Sequence, residues 1–161
     1  MIELVFADKN DDGFLAEHDS HIGNEIRKKK IEAKEIIVLK KNGQTIGWLR
    51  YGLFWDMIPF MNMLYIKEHH RRKGLGKQLV LFWENEMWEC GHKVLMTSSQ
   101  SDEEAQHFYR KLGYEDAGSL MFPKGPLEII FIKYRLEDSK QQYGNRFSGC
   151  IAAERENNRI L

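Results

Sequence analysis

The chain predicts an α+β domain built on a mixed, mostly antiparallel central sheet flanked by helices. Three observations carry that expectation. Short runs rich in Ile, Val, Leu, Phe and Tyr recur along the chain, separated by Gly, Asn, Asp and Pro. Two of these runs flank Asn42-Gly43, a dipeptide suited to a two-residue hairpin because both central residues need φ > 0. One long amphipathic stretch, from about Leu75 to Cys90, lies between two strands and makes a single strand–helix–strand crossover. The expected order is β-α-α-β-β-β-α-β-α-β-β.

Ile2 to Phe6 reads as a strand ended by the polar run DKNDDG. Phe14 to Lys30 has helical periodicity, with Phe14, Leu15, His18, Ile22, Ile26 and Lys30 near one face, and Gly23 divides it into two short helices. Ile36 to Leu39 and Ile46 to Arg50 should pair antiparallel across Asn42-Gly43. Phe54 to Ile58 is short and aromatic, a loop or a bent strand start, and Pro59 belongs on an edge or at the first strand position. Phe60 to Ile66 is the next strand. In the helix that follows, Leu75, Leu79, Phe82, Trp83 and Met87 form an apolar stripe, and Gly91 sits where a left-handed residue stops it. Lys93 to Ser98 is a strand. Ser101 to Leu112 is a helix, with Glu104 three residues after Ser101 in a capping-box pattern. Tyr114 to Leu120 and Leu127 to Leu136 are strands joined through Pro123 and Pro126. Residues 1–136 are expected to be one domain. Glu137 to Leu161 is polar and reads as a partly ordered tail.

Bulk properties narrow the function. With 161 residues the chain has room for one domain with a real core. Lys+Arg and Asp+Glu are both 24, so the net charge is zero and nucleic acid is not an expected partner. The two cysteines, Cys90 and Cys150, lie far apart, which fits a reducing, cytoplasmic setting. No apolar run approaches the ~20 residues of a membrane span. His18, Asp19 and His21 cluster, but no Cys or third His lies at ligand spacing, so they read as a polar helix face and no metal is expected.

The chemistry concentrates in Ile66 to Leu79, IKEHHRRKGLGKQL. A strand runs into five cationic or imidazole side chains, His69 to Lys73, then Gly74-Leu75-Gly76, then a helix. No Ser, Thr, Asp or Asn precedes that helix, so its first N–H groups are left for a ligand. With the helix dipole they make an anion site suited to a phosphate or pyrophosphate. A Walker A loop is excluded because Lys77 is followed by Gln78. A dinucleotide fingerprint is excluded because its third glycine position is Leu79.

What remains, Arg71-x-x-Gly74-x-Gly76, resembles the (Q/R)-x-x-G-x-(G/A) acyl-CoA loop of the GNAT acyltransferase superfamily. A second stretch, DEEAQHFYRKLGYEDAG, is similar to that superfamily's N-x-x-A-x-x-(L/F)-Y-x-x-x-G-(F/Y), matched at Ala105, Phe108, Tyr109, Gly113 and Tyr114. Two spaced motifs in the right order are far more specific than either alone. The resemblance spans roughly residues 1–136 and is strongest from Leu64 to Gly118.

It implies an N-acetyltransferase that moves an acetyl group from acetyl-CoA to a primary amine of a small molecule or peptide by direct attack. On that resemblance the backbone N–H groups of Leu64, Tyr65 and Ile66 meet the oxyanion. Arg71, Arg72, Lys73, Gly74, Leu75, Gly76 and Lys77 hold the pyrophosphate. Tyr109 stands where the family places its general acid. A free phenol titrates near ~10 and a thiol near ~8.5, so Tyr109 is expected to stabilise the thiolate by a hydrogen bond, with a lowered pKa. Asp102 replaces the family's Asn on the pantetheine arm, which puts that cofactor contact in doubt. The family's strand Glu is replaced by Phe60, and Met61 and Asn62 cannot act as bases either. Asp56, Glu103, Glu128 and His107 are the candidate bases, beside a water chain or an amine that arrives neutral. The aromatic strip Tyr51, Phe54, Trp55, Phe60 and Tyr65 suits an apolar, aromatic or ammonium amine if it is exposed, and Trp55, Phe60 and Asn62 are the substrate candidates. The strand Leu127 to Ile132 and the tail are a candidate homodimer surface. The alternative is a non-catalytic acyl-CoA sensor with the same fold, motivated by Phe60.

Overall fold

A computed structural model describes residues 1–135; the polar tail expected over 137–161 lies outside them. The elements are β1 (Ile2–Phe6), α1 (Asp12–His18), α2 (Asn24–Glu32), β2 (Ile36–Lys41), β3 (Gln44–Phe54), β4 (Ile58–Ile66), α3 (Leu75–Glu89), β5 (Val94–Gln100), α4 (Ala105–Lys111), β6 (Glu115–Leu120) and β7 (Glu128–Tyr134). Their order is the one the sequence predicts. The strands form one sheet in the order β1-β2-β3-β4-β5-β7-β6. β4 and β5 run parallel, while β1–β2, β2–β3, β5–β7 and β6–β7 are antiparallel. The described chain divides into two compact units, 1–51 with 63–85, and 52–62 with 86–135.

In the first unit, β2 is buried from Ile36 to Leu39, a continuous apolar run that reads as a strand covered on both faces. Ile36, Val38 and Trp48 pack with Ala7, Leu15 and Ile31, with Phe14, Met63 and Tyr65 around them. The α3 stripe covers other strand residues: Phe82 lies 6.4 Å from Phe6 and Trp83 5.9 Å from Tyr51. Asn42 and Gly43 take φ of 51° and 79°, as the hairpin requires. Gly47 serves packing: a Cβ there would come within 2.8 Å of the Tyr65 carbonyl oxygen, so β3 and β4 approach closely because it is glycine.

One expectation in this unit fails. Ile26, placed on the buried face, is 52% exposed, and Arg27 is buried instead. The break at Gly23 restarts the helical phase, so periodicity counted through it points the wrong side chain inward. Arg27 Nε donates to Asp12 Oδ1 at 2.8 Å, tying α2 to α1. A second buried cation, Arg50, donates from Nε to Asp19 Oδ2 at 2.8 Å. Asp19, set in a polar cluster by the sequence reading, is therefore one half of a buried ion pair.

In the second unit, Phe54 to Ile58 is a tight turn. Trp55 and Asp56 both have positive φ, 52° and 58°, and Met57 N donates to Phe54 O at 3.2 Å. This is the turn geometry found at Asn42-Gly43, built without Asn or Gly, which is why composition did not reveal it. Pro59 is the second residue of β4, not the first, and β4 lies inside the sheet, not at an edge. The ladder to β5 begins one residue later, at Phe60. β6 is the exposed edge strand. The capping box fails: α4 starts at Ala105, and Glu104 precedes it with no side-chain cap. The cause is local. Ser101 N donates to Leu127 O at 2.8 Å, which keeps the chain in a turn until residue 104.

Candidate active site

The glycine loop belongs to the first unit. β4 ends at Ile66, one 3-10 turn covers Glu68–His70, and α3 starts at Leu75. Arg72 and Gly74 have φ of 59° and 76°. These left-handed residues turn the chain out of the loop and into α3. The helical ladder starts when Gln78 N donates to Gly74 O at 3.1 Å. The N–H groups of Leu75, Gly76 and Lys77 precede that bond and have no intrahelical acceptor. Among the described residues nothing lies within 4 Å of a Cβ built on Gly74, so none of them closes the space over the loop there. That is the requirement for a pyrophosphate to approach the backbone.

The basic side chains divide the work. Arg71 Nε donates to Ile66 O at 2.8 Å, and its guanidinium lies 5.8 Å from the Tyr65 ring centre. Lys73 Nζ donates to His69 O at 2.8 Å. Both cations brace the loop through its own carbonyls. Arg72 and Lys77 are exposed on the same stretch. His70 has its Nδ1 shielded and unbonded. Its imidazole is held below the usual histidine range by desolvation first, then by Lys41, Lys73, His69 and Lys67. At neutral pH His70 therefore adds little to the positive charge that the arginines and lysines give the loop. Leu64 and Tyr65 are half-buried and Ile66 is buried, on the strand that feeds the loop.

Tyr109 belongs to the second unit. It is 6% exposed and packs against Phe108, Tyr114 and Phe131, with ring centres 5.3, 5.9 and 5.9 Å away. Burial is the main reason its phenol is pushed up to about 12, and the carboxylates of Glu103 and Glu128 push the same way. The expected lowering is overturned, because a phenolate inside an aromatic cluster loses its hydration. Tyr109 stays protonated across the physiological range. The Thr97 hydroxyl, buried on β5, works against that rise. Sequence reasoning missed Thr97: one threonine in the apolar run KVLMTS gives no signal by itself.

The other candidates in this unit separate by environment. Phe60 is half-buried with its ring 6.0 Å from that of Phe54. Asn62, Asp56, Asp102 and His107 are exposed. Trp55, at the turn, is 72% exposed, whereas Tyr51 of the first unit is buried and donates to Lys34 O at 3.0 Å. The aromatic strip is thus not one exposed surface. Glu103 Oε2 accepts from Gln100 N and Ser99 Oγ, both at 3.3 Å. Glu128 opens β7 opposite Gln100 and is half-buried. Among the described residues no group of three or more His, Cys, Asp or Glu could hold a metal ion.

The geometry can be set against known proteins. The family described as Acetyltransferase (GNAT) domain matches residues 32–116, more than half of the chain. A curated relative, the L-amino acid N-acyltransferase MnaT of Escherichia coli (strain K12), is 26% identical over 84 residues, 49% of each chain. The chain thus matches about half the length of that relative. Among solved structures, yncA from Salmonella typhimurium with acetyl-CoA aligns with a TM-score of 0.72 at 19% identity, over 91% of this chain and 98% of that one. Ard1 from Thermoplasma volcanium aligns with a TM-score of 0.72 at 14% identity, over 84% and 98%. The paiA N-acetyltransferase from Thermoplasma acidophilum with coenzyme A gives 0.62 at 18% identity, over 84% and 99%. These likenesses show the fold. With the family match over the core and the glycine loop, the chain belongs to the GNAT acetyltransferase family, whose enzymes use acetyl-CoA as co-substrate.

Proposed function

We propose that the protein is an N-acetyltransferase that acts on a primary amine of a small molecule or peptide by direct attack. The observation that carries the reading is the start of α3, its first N–H groups without intrahelical acceptors, behind a Gly74 that no described residue covers, which fits the pyrophosphate of acetyl-CoA. Acetyl-CoA, when bound, supplies a thioester carbonyl and a thiolate leaving group. The N–H groups of Leu75, Gly76 and Lys77 hold the pyrophosphate, and Arg72 and Lys77 add charge-assisted bonds. Arg71 and Lys73 keep the loop in shape through Ile66 O and His69 O. The N–H groups of Leu64, Tyr65 and Ile66 serve the developing oxyanion, fixed in place by the strand.

Tyr109 holds its proton and offers it as a hydrogen bond to the departing sulfur. Full transfer from a phenol at about 12 to a thiolate near ~8.5 would cost about 5 kcal/mol. Hydrogen-bond donation is therefore its role. Glu103 is already engaged by Gln100 and Ser99, and the half-buried Glu128 is the carboxylate assigned here to accept the amine's proton.

The test is incubation with acetyl-CoA and a panel of amines, with free thiol as the readout. The curated relative is named an L-amino acid N-acyltransferase, so L-amino acids head the panel. Thiol release that falls about 10²-fold in Tyr109→Phe and in Glu128→Gln supports the reading. Binding of acetyl-CoA with no thiol release from any amine supports the second reading, a non-catalytic acyl-CoA sensor. That alternative is favoured by Phe60, which occupies the base position with a half-buried apolar ring.

A further inference from the structure

The last residue of α1, His18, holds an imidazole in place by one hydrogen bond and two rings. Its Nδ1 lies 2.9 Å from Phe14 O, one helical turn back. A carbonyl only accepts, so Nδ1 carries the ring proton and Nε2 keeps its lone pair. The ring stacks on Phe14, with centres 4.2 Å apart, and tilts against Tyr65 at 5.5 Å. Among the described residues nothing bonds Nε2. The side chain is 16% exposed, so part of the ring is reachable from outside. Phenylalanine would pack on the same two rings without leaving a nitrogen half-desolvated.

We propose that His18 is a catalytic base for the acceptor amine, taking a proton on Nε2. The proposal rests on the acetyl-transfer reading above. Tyr65, the ring that His18 meets, is the middle one of the three β4 residues whose N–H groups serve the oxyanion. Trp48 and Arg71 hold that ring from other directions, at 6.1 and 5.8 Å. All of these residues belong to the first unit. The imidazole therefore stands beside the strand that serves the reacting carbonyl. An amine that arrives as an ammonium sheds two protons on the way to an amide. The first must leave before the nitrogen has a lone pair to attack with, and Glu128 takes it. The second leaves as the C–N bond forms and the C–S bond breaks, with the electron pair of that bond going to sulfur. Nε2 takes this second proton and returns it to solvent from the exposed part of the ring. The bond from Nδ1 to Phe14 O survives this step, because both ring nitrogens are donors in the imidazolium. The ring thus keeps one orientation through the cycle.

Two kinds of measurement test this. In the unliganded protein, nitrogen NMR of the neutral His18 ring should place its hydrogen on Nδ1 and leave Nε2 bare. In turnover, free thiol is read with the best acceptor of the amine panel. His18→Asn keeps a donor for Phe14 O where Nδ1 stood and removes Nε2. His18→Gln keeps an acceptor atom near the place of Nε2, but one too weak to take a proton. Both should lower kcat about 10²-fold, with the KM for acetyl-CoA and the thermal shift by coenzyme A unchanged. His18→Gly should regain rate when imidazole is added, in step with the uncharged fraction of that imidazole, a response that a purely structural role does not give. A neutral ring with its hydrogen on Nε2 overturns the proposal, even if every variant fails to fold. So does a kcat near wild type in His18→Gln, which shows that accepting a hydrogen bond is enough. A loss that imidazole does not relieve in His18→Gly also overturns it, and shows that the ring only packs. Each of these results leaves acetyl transfer standing, because the wild type still releases thiol. Binding of acetyl-CoA by the wild type with no thiol release from any amine removes the acetyl-transfer reading and the base with it.

Discussion

Two glycine-like positions carry opposite lessons at the scale of single residues. Gly74 has φ of 76° and, among the described residues, open space where a Cβ would lie. Alanine there costs about 1 kcal/mol of backbone strain and meets no atom of the described residues, so the fold should survive. The methyl would project where the pyrophosphate is proposed to approach. Gly74→Ala should therefore raise the KM for acetyl-CoA about tenfold or more while the melting temperature falls by a few degrees. A KM equal to wild type would remove the loop from the binding site. The turn at Trp55 and Asp56 is the converse, with two L side chains in a conformation that favours Asn-Gly. Trp55→Asn combined with Asp56→Gly should stabilise the protein by about 1–2 kcal/mol in chemical denaturation. If Trp55 also contacts the amine, the same variant should raise the amine KM. An unchanged amine KM would drop Trp55 from the substrate candidates.

At the scale of elements, the junction of α1 and α2 is held by charge. Arg27 is 4% exposed and its Nε bonds Asp12, whose carboxyl is held below the usual carboxylate range by that hydrogen bond. A carboxyl lowered in the folded state gives stability that is complete above its unfolded pKa of about 3.9 and is lost as pH falls through the folded value. Asp12→Asn should cost about 2 kcal/mol at pH 7, because it leaves a buried guanidinium without its charged partner. The deficit should shrink on acidification below about pH 4, where wild type loses the same interaction. A pH-independent deficit would show that Asp12 does not act through its charge on Arg27. None of this was legible in the sequence. Arg27 entered no apolar face, and the phase restart at Gly23 became visible only when both helices had boundaries. The strands were easier to read, because β2 and β3 carry continuous apolar runs and their hairpin has its turn residues written in. The start of α4 was misread because the bond from Ser101 N to Leu127 O is long-range and leaves no local mark.

At the scale of the whole molecule, the two motifs were legible because each is a short local pattern with a physical requirement: a glycine turn into a helix start at Gly74 and a tyrosine at a fixed place on α4. Their chemistry was less so, since the upward shift of Tyr109 depends on Phe131 and Glu128, some twenty residues further along the chain. The whole chain also answers to its ligand. A molecule that binds the folded state and not the unfolded one stabilises it by about 2.7 kcal/mol at a hundredfold excess over Kd. For a chain of this size that is a rise of about 5–10 °C in Tm. Coenzyme A should produce this rise in wild type and a much smaller one in Gly74→Ala. The rise should also fall with added salt, because Arg72 and Lys77 are exposed and their attraction to phosphate is screened. Inorganic phosphate at the same charge concentration should give a smaller rise, because it can engage the phosphate site of the loop but none of the rest of the coenzyme's contacts. An equal shift with coenzyme A in wild type and Gly74→Ala would place the ligand elsewhere on the molecule and would detach the glycine loop from function.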